Sequence, residues 1–336
     1  MTARSFGRWT PPAPPGLDGP YALNHALSGA TRFPTEGGVG PEDVVVDAEG
    51  CVLAGVESGE LLRFEPRAGT VRAVARGLGR PLGVELYVDG RVVVCDARRG
   101  LLLVDPARGS VEPLVTSFGG APLRFTNNAA VARDGTIYFS DSSTEYGIDH
   151  YREDLLDHLP RGRLFARSPS GEVTLLADGL YFANGVALAP DESFVLVAET
   201  GRYCVQRVWL TGPRQGQREP FCENLPGFPD NMSTGPTGTF WIAIVSPRSP
   251  LLDRLLPYPR ARSLVAALPS ALQPQPRRYG MVVGLDLHGS VVACLHDPEG
   301  AFREITGVRE HEGALWLGSL AEAAIARVRL PVTAAR

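Results

Sequence analysis

A segment of about twelve residues recurs six times along the chain without gaps, and no other feature limits the fold as strongly. The copies begin at Asp43, Gly83, Asn128, Gly185, Asn231 and Thr306. Each joins two short apolar runs through a turn; Asn128-Ala-Ala-Val-Ala-Arg-Asp-Gly-Thr-Ile-Tyr-Phe is representative. Several copies continue through a second hairpin turn, at Ser58-Gly59, Arg99-Gly100 and Thr200-Gly201, into another apolar run. Units of about four antiparallel strands repeated in this way predict an all-β fold, a six-bladed β-propeller. Closing a ring protects sheet edges that an open row of hairpins would expose, and a sandwich would not need the repeat.

The propeller is expected over residues 40–332, preceded by an irregular arm over 1–39 that carries Pro11, Pro12, Pro14 and Pro15. Two segments interrupt the rhythm, about 146–159 and 247–276. The second holds Leu251-Leu-Asp-Arg-Leu-Leu and Ser263-Leu-Val-Ala-Ala-Leu, apolar at helical spacing and cut by prolines. Helical insertions on one face are expected, serving as lids or as surface decoration.

Composition removes several functions. All 33 basic residues are Arg, so Schiff-base chemistry on a lysine amine is excluded. A net charge of -4 supplies no overall basic field, and no nucleic-acid partner is expected. The five cysteines are odd in number and widely spaced; they are expected reduced and mostly buried, with a Cys204–Cys222 disulfide as the alternative. No signal-peptide pattern and no run of eighteen apolar residues occurs, so no transmembrane segment is expected and the cytoplasm is the default location.

Counting back eight residues from the turn positions Gly50, Gly90, Gly135, Glu192, Gly238 and Gly313 reaches Glu42, Leu82, Asn127, Asn184, Asp230 and Ile305. The innermost strands of a propeller line its channel, so these positions are expected to converge on the axis. Four of the six offer oxygen, and none offers sulfur or imidazole. That set suits a hard cation, Ca²⁺ above other divalent ions, and a cation would relieve the repulsion between Glu42 and Asp230. Turn capping by Asn and Asp is the alternative. Phe125, Phe182 and Phe228 each precede a ring position by two residues, and would either wall an apolar substrate pocket or plug the loops against the blades.

Gly79-Arg-Pro-Leu-Gly, Tyr138-Phe-Ser-Asp-Ser-Ser, Phe182-Ala-Asn-Gly-Val-Ala-Leu, Pro226-Gly-Phe-Pro-Asp-Asn and His311-Glu-Gly-Ala-Leu-Trp-Leu-Gly-Ser resemble the strictosidine-synthase-like branch of the gluconolactonase and paraoxonase propellers. The resemblance covers roughly residues 40–330. It implies a channel metal, usually calcium, and hydrolysis of lactones, aryl esters or related phosphoesters in the metal-bearing members. Carried over, the metal positions fall on Glu42, Asn127, Asn184 and Asp230, with Asn231 as an additional ligand. Relatives commonly read Asn-Asp where this chain reads Asn127-Asn128, so Asn128 stands in the place of an acid assigned to proton handling. True strictosidine synthases are metal-free and use a Glu shortly before the last turn; here Thr306 falls at about that place, with Glu304 in another register, which argues against alkaloid condensation. Membrane-associated members of the branch carry an N-terminal transmembrane helix, which is not expected in this chain.

The expected function is a metal-dependent hydrolase of small-molecule lactones or esters, with Asp230 and Asn128 as catalytic candidates. A non-catalytic binding propeller with a structural ion, and an isomerase or cyclase of secondary metabolism, remain as alternatives. Among the histidines, His296 and His311 are expected to be structural, whereas His150 and His158 lie on the first insertion, within reach of the cavity.

Overall fold

The computed structural model describes residues 4–269, 273 and 275–330. Among them are six four-stranded antiparallel sheets, so the six-bladed propeller is observed. The innermost strands of blades 2 to 6 are Pro81–Leu86, Thr126–Val131, Ala183–Leu188, Gly227–Thr234 and Ile305–His311. Blade 1 begins with the short strand Val45–Val46, two residues after Asp43. The second strands are buried on both faces, which is why they read as continuous apolar runs; every residue of Val92–Asp96 is buried.

The core lies between blades. Val45, Leu53 and Leu61 of blade 1 pack on Val84, Val92 and Leu102 of blade 2. Phe194, Leu196 and Val205 of blade 4 join Phe240, Ile242 and Met281 of blade 5 in the same way. Each such side chain contributes about 1.5–3 kcal/mol on burial, so neighbouring sheets stabilise one another in sequence around the ring.

The ring closes through the N-terminal segment, which corrects the expected boundary at residue 40. Thr31–Pro34 forms the outer strand of blade 6, antiparallel to Ala324–Arg329, with Thr31 opposite Arg327 and Pro34 opposite Ala324. No repeat copy marks this strand, because it is supplied from the opposite end of the chain.

A second correction concerns register. In blades 1, 2, 3 and 5 the left-handed turn residue lies three positions after the last paired residue, as Gly135 does after Ala132. Blade 6 turns through only Glu312 and Gly313 between the paired residues His311 and Ala314. One residue fewer in the turn shifts the count by one, and Thr306, not Ile305, holds the ring position; Ile305 is packed in the core beneath.

Both insertions leave their blades between the second and third strands. The first, in blade 3, carries α1 (Tyr151–Asp157), which ends at His158 in a left-handed conformation. The second, in blade 5, carries α2 (Pro250–Leu255) and α3 (Pro259–Ala266). Ser249 caps α2 by accepting from the Leu252 N–H, and Pro250 and Pro259 start the two helices where a missing N–H costs nothing. α3 packs on both α1 and α2, so the two insertions form one cover. Residues 270–272 and 274 of the expected insertion, and 331–332 of the expected propeller, lie outside the described residues.

The arm is irregular, as expected, and it wraps. Gly7 N–H donates to Asp157 O of α1, and Trp9 N–H to Leu256 O after α2. Farther along, Asn224 and Arg248 donate to the carbonyls of Ala13 and Pro12. All five cysteines are free, so the Cys204–Cys222 bridge is not formed. No helix among the described residues is long and apolar enough to cross a membrane.

Candidate metal and substrate site

Glu42, Leu82, Asn127, Asn184, Asp230 and Thr306, one from each blade at or just before its innermost strand, line a single cavity at one end of the channel. Bulged pairing at each innermost strand of blades 2 to 6 turns these residues out of the ladder and toward the axis.

Hydroxyls on the neighbouring loops determine how the two carboxamides face. Asn127 Nδ2 donates to Ser142 Oγ at 2.9 Å, and Ser142 donates onward to Ala183 O at 2.7 Å. Asn184 Nδ2 likewise donates to Thr200 Oγ1 at 3.1 Å, and Thr200 donates to Pro229 O at 2.7 Å. Both amide nitrogens are thereby tied back, each hydroxyl gripping the backbone just before the next blade's ring residue. The Oδ1 atoms of Asn127, Asn184 and Asp230 are buried with no hydrogen-bond partner. A buried unpaired oxygen costs about 1–3 kcal/mol, and three around one axis mark a place that an oxygen-seeking ion would satisfy.

The electrostatics agree. Burial raises the Glu42 carboxyl well above its ordinary range, with further elevation from Asp230 and Asp43. Asp230 is pushed up to about 7, chiefly by burial, with Asn184 opposing and Asp43 adding to the rise. Two carboxylates that resist ionising together become comfortable beside a dication. The oxygen set therefore fits calcium, through Glu42, Asn127, Asn184 and Asp230. A second acidic group, Asp47 and Glu49 near Cys51, is surface-facing and paired with Arg63.

One residue farther along each strand lies a second tier: Asp43, Gly83, Asn128, Gly185, Asn231 and Gly307. Polar side chains of odd blades alternate with glycines of even ones. A Cβ at Gly185 would lie 2.3 Å from Asp230 O, and at Gly307 2.7 Å from the Asp43 Cα, so the neighbouring blade fills the space where a side chain would be. Asn128 belongs to this tier. Its Oδ1 accepts from Val186 N–H at 2.8 Å and its Nδ2 donates to Asp43 Oδ2 at 3.1 Å, tying blade 3 to blades 4 and 1. Asn128, expected as a catalytic candidate, consequently does not line the cavity, and its amide is engaged between blades. Asn231 is also beneath the cavity, where its Nδ2 holds Glu42 Oε2 at 3.0 Å.

The three aromatics do come together on the cavity wall. Phe125 and Phe182 meet edge to face at 5.4 Å, and Phe228 packs on Tyr203 at 5.0 Å. Tyr151 and Leu155 of α1 and Leu252 of α2 complete the wall, so both insertions cover the site. The histidines do not line it. His158 is stacked on Trp9 under the arm, its pKa lowered to about 3 by burial and by Arg202 and Arg262. His150 is exposed beside Glu153, and His296 is buried between Tyr279 and Cys294. Thr306 donates to Glu42 O at 2.6 Å and offers no acid, but Glu304 reaches the cavity wall, its carboxyl raised by burial.

Ser142 and Thr200 went unnoticed in the repeat, although a signal exists. Each follows an acid at the end of the second strand, Asp141-Ser142 and Glu199-Thr200, whereas blade 2, whose ring residue is Leu82, has Asp96-Ala97.

Fold and site together define a six-bladed propeller with an oxygen-lined axial cavity. The family pattern described as strictosidine synthase matches residues 127–213, and that described as strictosidine synthase-like, N-terminal, matches 19–64. Adipocyte plasma membrane-associated protein of Salmo salar is 34% identical, covering 91% of this chain and 79% of its own. The strictosidine synthase-like 10 protein of Arabidopsis thaliana is 36% identical, over 92% of this chain and 89% of its own. The chain belongs to the strictosidine synthase-like family. In fold it is similar to a gluconolactonase of Xanthomonas campestris, with a TM-score of 0.63, 19% identity, and 98% and 99% of the two chains covered. It is also similar to regucalcin, a calcium-binding protein of Agrobacterium tumefaciens, with a TM-score of 0.60, 16% identity, and 87% and 92% covered.

Proposed function

We propose that the chain is a divalent-cation-dependent hydrolase of lactones or aryl esters, with calcium the preferred ion. The observation that carries this reading is the set of unpartnered Oδ1 atoms on Asn127, Asn184 and Asp230, in one cavity with Glu42 and under an apolar cover. Lactonase-type and calcium-binding neighbours of the same fold support it. A dication held there supplies polarisation of a substrate carbonyl and stabilisation of the developing oxyanion. Glu42, Asn127, Asn184 and Asp230 hold it, with Ser142 and Thr200 keeping the amide oxygens turned inward. Asp230 either accepts the proton of a water that adds to the carbonyl, or attacks the carbonyl itself to give an anhydride that water then cleaves; in both routes the ester C–O bond breaks and the alcohol leaves. Phe125, Phe182 and Phe228 bind the apolar body of the substrate and exclude bulk water.

Asp230→Asn keeps the volume and removes the charge. It is expected to abolish calcium retention, read by calorimetry, together with hydrolysis of aryl acetates and γ- and δ-lactones; full esterase activity in this variant would refute the assignment.

The engagement of Asn128 favours a second reading, a binding propeller whose ion is structural. A chelator would then lower the melting temperature while no ester or lactone turns over with calcium restored.

A further inference from the structure

The outer face of the second insertion is built inside out. Arg262 of α3 is fully buried, while Leu264, two residues on, is 72% exposed. Helical spacing places Arg260, Leu264 and Ala267 on one stripe, with Leu268 just past the helix end, and all four are exposed. Arg262 points inward, donating to Leu156 O at the end of α1 and to Gly7 O of the arm. A surface helix ordinarily turns its leucines in and its arginines out.

Exposed apolar residues are concentrated here. Leu251, Tyr258, Leu264 and Leu268 are four of the eleven large exposed hydrophobic side chains among the described residues, and they fall within eighteen residues of chain. The charge is equally one-sided. Residues 254–285 contain five Arg and no Asp or Glu, in a chain whose net charge is -4. Arg254, Arg260, Arg277 and Arg278 are exposed, and no carboxylate among the described residues forms an ion pair with any of them. The nearest acid in sequence, Asp253, is held by Arg248 and the Tyr203 hydroxyl.

We propose that this face, α2, α3 and the loop joining them, docks on an anionic lipid surface. Guanidinium groups attract acidic headgroups, and leucine and tyrosine side chains enter the boundary between headgroup and acyl chain. The same cover bounds the apolar cavity: Leu251 faces out while the adjacent Leu252 lines the cavity wall. Docking there would bring apolar molecules dissolved in the lipid to the cover of the cavity. The proposal stands independently of hydrolysis, since it concerns the outer face of the cover and not the ring residues.

The test is co-sedimentation of the full chain with vesicles of phosphatidylcholine alone, or mixed with phosphatidylserine, at low and high salt. Binding is expected only to the mixed vesicles, falling roughly tenfold or more at high salt. The pairs Leu264→Asp with Leu268→Asp, and Arg254→Glu with Arg260→Glu, should each weaken it by roughly tenfold while melting temperature and circular dichroism stay unchanged. Leu264→Ser with Leu268→Ser serves if the acidic pair disturbs the helix. Absence of vesicle binding by the native chain, or equal binding by the variants, overturns the proposal. So does a homodimer that dissociates on the same substitutions while vesicles are ignored, because a second copy would then cover this face.

Discussion

Asn127 and Asn184 could each present either end of the amide to the channel, and a single hydroxyl decides which. Thr200 accepts from Asn184 and donates to Pro229 O, so Thr200→Val keeps the shape, frees the amide to flip and strands a carbonyl. Calcium affinity should fall about ten- to a hundredfold, with Thr200→Ser restoring it; calorimetric titration of the purified variants is the measurement. Glycines of the second tier should respond very differently from turn glycines. Gly185→Ala drives a Cβ against Asp230 O and is expected to destabilise by about 3 kcal/mol or more, whereas Gly50→Ala meets open space and should cost only about 1 kcal/mol from its positive φ. Denaturant melts of the two variants would show the difference. Oxygen-bearing residues in one register were legible in the chain; the direction in which each amide points was not, since it depends on hydroxyls from a different strand.

Among the elements, the arm and the insertions behave as one latch. Trp9 stacks on His158 at 4.9 Å, directly after α1, and Arg202 lies over its ring at 4.9 Å. Trp9→Ala should leave the blades intact and accelerate amide exchange in α1 and α2, read by mass spectrometry; unchanged exchange there would refute a latching role. Asp154 of α1 adds a pH dependence. Burial raises its pKa from 3.8 to about 6, opposed by the Ser143 hydrogen bond and Arg161. Between those values the folded state keeps a proton that the unfolded chain has released, so stability declines as pH rises through this window and the loss is complete above about pH 6. Asp154→Asn should therefore stabilise the protein at pH 8 relative to pH 4 by about 2 kcal/mol compared with the native chain, measured by thermal melts at both pH values. Helical spacing revealed that the second insertion is helical. Its partnership with the first could not be seen, because about a hundred residues separate them.

At the scale of the molecule, Thr31–Pro34 completes blade 6 and joins the two ends of the ring. Removing residues 1–34 would uncover the edge of Ala324–Arg329 and let the ring open between blades 6 and 1. Aggregation and a broadened thermal transition are expected, and a cooperative melt unchanged from the native chain would contradict this closure.

Six aligned repeats, with two acids and two carboxamides at one place in four of them, determined by themselves the propeller and the oxygen set facing its axis. Strand alternation and turn chemistry act over a few residues, and their repetition at a common spacing survives in linear form. Tertiary structure alone decided that Thr306 replaces Ile305, that Asn128 joins three blades instead of facing the cavity, and that the closing strand comes from the arm. These outcomes depend on turn length, on hydrogen bonds between blades and on which chain end fills the last edge, all of them contacts between segments far apart in sequence.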